Sequence, residues 1–131
     1  MRKFIITSNI FLFIPVIVSA LAEEWLYFFF ALGISIFSPI FHYLRENNSK
    51  RTKLLYAMRD FDWFFAIGAY IYMYYFIFTK VNSQYQILLA IALSLTGIFF
   101  WYGFKFGSYK KFHPWFHVVA PVVSGLIVVS K

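Results

Sequence analysis

Residues Trp25 to Tyr43 read WLYFFFALGISIFSPIFHY, nineteen residues without one charged side chain. A helix rises about 1.5 Å per residue, so about 20 apolar residues cross a ~30 Å hydrocarbon core. This stretch therefore reads as a transmembrane helix. Its aromatic start, Trp25, Tyr27, Phe28, Phe29 and Phe30, suits the boundary between lipid and water. Its end carries Ser38, Pro39 and His42. Pro39 cannot donate to the helix ladder and its ring clashes with the carbonyl of Ser35, which predicts a kink just before His42.

Four more stretches of the same kind flank it, at about Phe4–Leu21, Phe61–Thr79, Gln86–Phe104 and His113–Ser130. The 131-residue chain is 62% hydrophobic and 13% charged, with a mean hydropathy of +0.71. A soluble domain is roughly 45–50% apolar and about 25% charged. Five helices with short turns use up the chain. The expectation is an all-α integral membrane bundle of about five transmembrane helices, forming one domain over residues 1–131. The first run follows Arg2 and Lys3, as in a signal peptide. It is longer than an apolar signal core, and Glu23 and Glu24 stand where small residues would mark cleavage, so it reads as a retained helix. The absence of cysteine excludes disulfides and thiolate metal ligands.

A net charge of +7 raises the question of nucleic acid, and its distribution answers it. Arg2 and Lys3 precede the first segment. Arg45, Lys50, Arg51, Lys53 and Arg59 lie between the second and third. Lys105, Lys110 and Lys111 lie between the fourth and fifth. The alternate regions hold only Lys80, Lys131 and the Glu23-Glu24 pair, a division of ten Lys and Arg against two. The positive-inside rule then puts the N-terminus in the cytoplasm and the C-terminus outside. Topology and attraction to anionic headgroups account for the basic charge, and no nucleic-acid partner is expected. The expected location is the plasma (inner) membrane of a bacterium, as a multi-pass protein.

The polar residues inside these segments are few. Asn9 in the first segment needs a partner in hydrocarbon and should face other helices, with helix adhesion as its ordinary role. Asp60 and Asp62, the only aspartates, stand at the mouth of the third segment. Compensation of the helix dipole suits Asp60, and an unpaired Asp62 deeper in would be costly. Residues two apart diverge on a helix, so one aspartate is expected to face the interior. His113-Pro114 opens the last segment, with Pro114 suited to the first helical position, His113 near the cap and His117 one turn deeper.

The three histidines, His42, His113 and His117, can be tested for convergence from the topology. The second segment runs inward and ends at His42. The third and fifth start inside, which brings Asp60, Asp62, His113 and His117 to the same face. Polar residues favour helix ends in any case, so interfacial histidines without a metal remain an open reading. Three imidazoles and a water make the ligand count of a catalytic zinc site. Zincins need H-E-x-x-H and nucleophile-elbow hydrolases need G-x-S-x-G, and the chain has neither. Di-iron oxygenases need many more histidines.

These residues resemble a family. Ser38-Pro39-Ile40-Phe41-His42, then Asp62, then His113-Pro114-Trp115-Phe116-His117 are similar to the signature of the CREST superfamily. That group contains alkaline ceramidases, progestin and adipoQ receptors and myomaker-like proteins. Thr7-Ser8-Asn9-Ile10-Phe11 and Pro15 are similar to the first helix of the ceramidase branch. Arg59-Asp60-Phe61-Asp62-Trp63 looks more like the receptor and myomaker branches, which favours Asp62 over Asp60. Family members usually have seven helices, and here the last motif falls on the fifth segment. Losing one pair keeps the final helix in the same orientation, and a homodimer would restore an enclosed lipid cavity.

The resemblance implies a zinc-dependent membrane lipid hydrolase. His42, His113 and His117 would be ligands. Asp62 would orient water and act as general base, and Ser38 would hydrogen-bond the oxyanion or a ligand. Asp60 and Asn9 are secondary candidates. The substrate would be a ceramide-like or other acyl lipid, cleaved at an amide or ester bond at the cytoplasmic face. A non-catalytic protein with a structural zinc site and a small transporter are the alternatives. A transporter expects polar residues along the whole depth of the bundle, and here they cluster at one end.

Overall fold

Apolar runs of this length satisfy their backbone polar groups internally only as helices, because lipid offers no hydrogen bonds. The computed structural model describes residues 7–47, 52–107 and 109–131, without the side chains of 109 and 110. Arg2, Lys3, Phe4, Lys50 and Arg51 of the charge and span readings lie outside the described residues, as does the side chain of Lys110. The chain forms a 3-10 helix, Ser8–Leu12, that runs directly into α1 (Phe13–Leu21). It continues with α2 (Trp25–Asn47), α3 (Lys53–Lys80), α4 (Ser83–Lys105) and α5 (Tyr109–Val129). The described residues form an all-α bundle. Helices α2, α3, α4 and α5 are each long and apolar enough to cross a membrane. The described part of the first segment, Ser8–Leu21, is shorter.

Three helices start earlier than the hydropathy predicts, α4 by the three residues from Ser83 to Gln86. The third segment was expected to open at Phe61, but α3 begins at Lys53, where the Thr52 hydroxyl accepts the backbone N–H of Leu55 at 3.3 Å. A threonine cap and a buried Leu55 carry the helix through polar residues that a hydropathy window reads as loop. Asp60 and Asp62 therefore lie more than a turn inside the helix, beyond the range of dipole compensation. Likewise α5 begins at Tyr109, so Pro114 is interior and His113 is not a cap residue. Pro39 also sits inside α2, which continues past it to Asn47.

One stripe of each helix is buried. On α2 it runs Tyr27, Ala31, Ser35, Ser38 and His42, the mixed i, i+3 and i, i+4 spacing of one face. The opposite faces expose large apolar side chains, among them Ile36, Ile67, Ile71, Leu95 and Leu126. That is an unfavourable surface in water and the expected one in lipid. Helix α2 packs along α3 and α4 along α5, while α1 and the 3-10 helix sit between α2 and α5 and join the two pairs.

The α2–α3 seam is built by reciprocal insertion of rings against glycines. A Cβ at Gly33 would stand 2.3 Å from the Phe65 ring, and one at Gly68 would stand 2.4 Å from the Phe30 ring. Phe65 also stacks on Phe37 at 5.5 Å between centroids. The α3–α4 seam is held by hydroxyls instead. Tyr70 donates to the Leu93 carbonyl, and Tyr74 meets Ser94 at 2.6 Å.

The bundle has two unlike ends. At one, Tyr27, Met73, Phe76, Ile77, Leu93, Ile127 and Val128 make a dense apolar core. That core is closed off by Glu24, which is 5% exposed and bonded by Lys80 Nζ at 2.7 Å and Lys131 Nζ at 2.9 Å. The turn that delivers it places Glu23 at φ 58°, a left-handed conformation that costs a non-glycine residue about 1–2 kcal/mol. The histidines lie at the other end.

Candidate metal centre

Three elements build this end. Helix α2 carries His42 as the last member of its buried stripe, one turn beyond Ser38. Helix α5 carries His113 and His117, four residues apart and so on one face. The 3-10 helix supplies Ser8 and Asn9. His42, His113 and His117 are 1%, 8% and 3% exposed, a degree of burial at which polar rings need hydrogen-bond partners or a ligand.

The three rings meet face to edge. Ring centroids are 4.9 Å apart for His42–His113, 4.9 Å for His42–His117 and 4.5 Å for His113–His117. Nε2 of His42 and Nε2 of His113 approach to 3.1 Å. One nitrogen from each ring lies within 4.8 Å of the others. In a tetrahedral set with Zn–N bonds of about 2.0–2.1 Å, ligand nitrogens stand about 3.3 Å apart. The residues fit a metal ion, with ring movements on the order of 1 Å. An all-imidazole donor set suits zinc, copper, iron or nickel over calcium or magnesium.

The surroundings orient the rings. Ser8 Oγ lies 3.3 Å from Nδ1 of His117. Phe41 packs on His42, and Phe100 and Phe116 on His113. Nδ1 of His42 has no hydrogen-bond partner among the described residues. Beside the cluster opens a cavity of about 380 Å³ with mostly apolar walls. Ser38, Asp62, His113 and His117 line it together with Tyr27, Tyr70 and Ser124, and it reaches as deep as Met73. His42 is not on its wall.

The other sequence candidates separate. Asp62 is half-buried, on the α3 stripe that continues through Ala66, Ala69 and Met73. Ser38, given to an oxyanion or a ligand from the sequence, lines the same cavity. Asp60 points outward and pairs with Arg59 at 2.8 Å, its side chain 68% exposed. Asn9 is 3% exposed, and it lines a separate cleft with Thr7, Phe13 and Pro39. Ser8 is the site contact that sequence reasoning missed. Its only signal was a small hydroxyl in an apolar segment, which ordinarily means helix adhesion. Comparison with models of protein families, with curated proteins and with solved structures finds no match to this chain.

Proposed function

We propose that this chain is a zinc-dependent lipid hydrolase of the membrane, cleaving an amide or ester bond of a ceramide-like or other acyl lipid. The observation that carries this reading is the meeting of three buried histidines with Asp62 and Ser38 at one end of an apolar cavity. The resemblance of these motifs to the CREST superfamily supports the reaction class. Zinc on three imidazoles supplies a Lewis acid and lowers the pKa of a water toward ~7. The chain's own residues supply the rest. Asp62, on the cavity wall, takes the proton of the attacking water and returns it to the leaving amine or alcohol, and the Ser38 hydroxyl stands on the same wall. The apolar wall takes an acyl chain and excludes bulk water. The ten-to-two asymmetry of Lys and Arg supports a cytoplasmic setting for the histidine end. The proposed membrane is the plasma (inner) membrane of a bacterium.

One contact favours a second reading. Nε2 of His42 and His113 stand 3.1 Å apart, so that a structural zinc on the three rings would brace α2 against α5 without turnover. The two readings part on purified protein in detergent, assayed for bound zinc and for fatty-acid release from ceramide and from acyl-ester lipids. The hydrolase reading expects about one zinc per chain and turnover that His117→Ala abolishes. Zinc without turnover on either lipid class leaves the bracing role. A wild-type protein that folds and holds no zinc ends the metal assignment.

A further inference from the structure

Helix α1 and the 3-10 helix before it contribute no imidazole, yet the chain buries a hydroxyl from there against the cluster. Ser8 is 1% exposed and its Oγ stands 3.3 Å from Nδ1 of His117, across 109 residues of sequence. His42 and His113 turn their Nε2 atoms toward each other. With Nδ1 of His117 taken up by Ser8, Nε2 is the nitrogen that His117 would present to a metal. A neutral imidazole carries one proton, and the nitrogen without it is the one that can bind a metal. A serine hydroxyl both donates and accepts, so the 3.3 Å contact is compatible with either tautomer. Only one of the two leaves a lone pair on Nε2.

We infer that Ser8 is a positioning residue: its hydroxyl accepts the Nδ1–H of His117 and commits that ring to offering an Nε2 lone pair at the three-histidine cluster. This rests on the reading of the cluster as a metal site. It also gives the first helix a function besides adhesion. The 3-10 helix, Ser8–Leu12, packs against α5 and brings Ser8 to His117. Hydrogen bonds of this kind, made by the outer nitrogen of a ligand histidine, are worth about 10–100-fold in metal affinity.

The test uses the full chain in detergent and cobalt(II) alone, followed by its visible ligand-field absorption. The wild type binds cobalt, Ser8→Thr binds it within about threefold, and Ser8→Ala binds it about 10–100-fold more weakly. Equal affinity of Ser8→Ala and wild type overturns the role of Ser8 and leaves the metal site standing. No cobalt binding by wild type overturns both. A second measurement needs no variant: nitrogen-15 spectra of histidine-labelled, zinc-loaded wild type. His117 protonated on Nδ1 is the expected result, and His117 protonated on Nε2 overturns the inference.

Discussion

Asp60 and Asp62 are two residues apart and have opposite surroundings. At 3.6 residues per turn their side chains diverge by about 200°. Asp60 reaches water beside Arg59, in a surface pair worth about 0–1 kcal/mol. Asp62 falls on the stripe that α3 turns inward and lines the cavity with Ser38. Lipid hydrolysis by Asp62→Asn should therefore fall by about 10²–10⁴-fold, the usual worth of a general base. Asp60→Asn should stay within about twofold of wild type by the same reasoning. Initial rates on one acyl lipid decide it, and equal losses in both variants would remove Asp62 from its role. That one aspartate alone would turn inward was legible from the sequence because helical angle is a local property, and the preference for Asp62 came from the family resemblance. That Ser38 and Asp62 share a cavity was not legible, because it depends on how α2 and α3 are rotated against each other.

The elements follow the hydropathy pattern in number and order and depart from it at their starts. A hydropathy window sees the cost of moving side chains into lipid. It does not see that Thr52 caps a helix that starts at Lys53, well ahead of the apolar run from Phe61. Element packing shows the same limit. Gly33 and Gly68 looked unremarkable in sequence, and each receives an aromatic ring from the facing helix. Gly33→Ala should gain about 0.5–1 kcal/mol of helix propensity and lose about 1–3 kcal/mol to overpacking against Phe65. The net effect is a lower midpoint of unfolding in a denaturing-detergent titration. The double change Gly33→Ala, Phe65→Leu should recover part of it. A single variant as stable as wild type would mean that the ring swings aside without cost.

Across the whole molecule, the two ends do different work. The end with Glu24 is closed by charge and the opposite end opens into the cavity. Burial disfavours the Glu24 carboxylate, but hydrogen bonds from Lys80 and Lys131 outweigh that and hold its pKa below the ordinary value of 4.5. A carboxyl with a depressed folded-state pKa contributes stability that is fully present above its unfolded value. The contribution fades as pH falls through the lower, folded value. The two lysines are 37% and 51% exposed, which limits the pair of contacts to about 1–2 kcal/mol. Glu24→Gln should thus lower Tm by a few degrees at pH 7, and the gap to wild type should close below about pH 4.5. Parallel Tm profiles from pH 7 to pH 3 would show that the ion pairs carry no stability.

Membrane class, helix count and the sorting of polar residues to two ends were decided by the sequence alone. Transfer of side chains into lipid is nearly additive along a chain, and each crossing reverses direction. That arithmetic sends His42, His113 and His117 to one end and Glu24, Lys80 and Lys131 to the other, as the structure has them. It says nothing of which faces meet there. Tertiary packing decided that Ser8 reaches His117, that Ser38 and Asp62 share a cavity, and that Asn9 lines a different cleft. Those contacts depend on helix rotation and on side chains up to 109 residues apart, which no local pattern encodes.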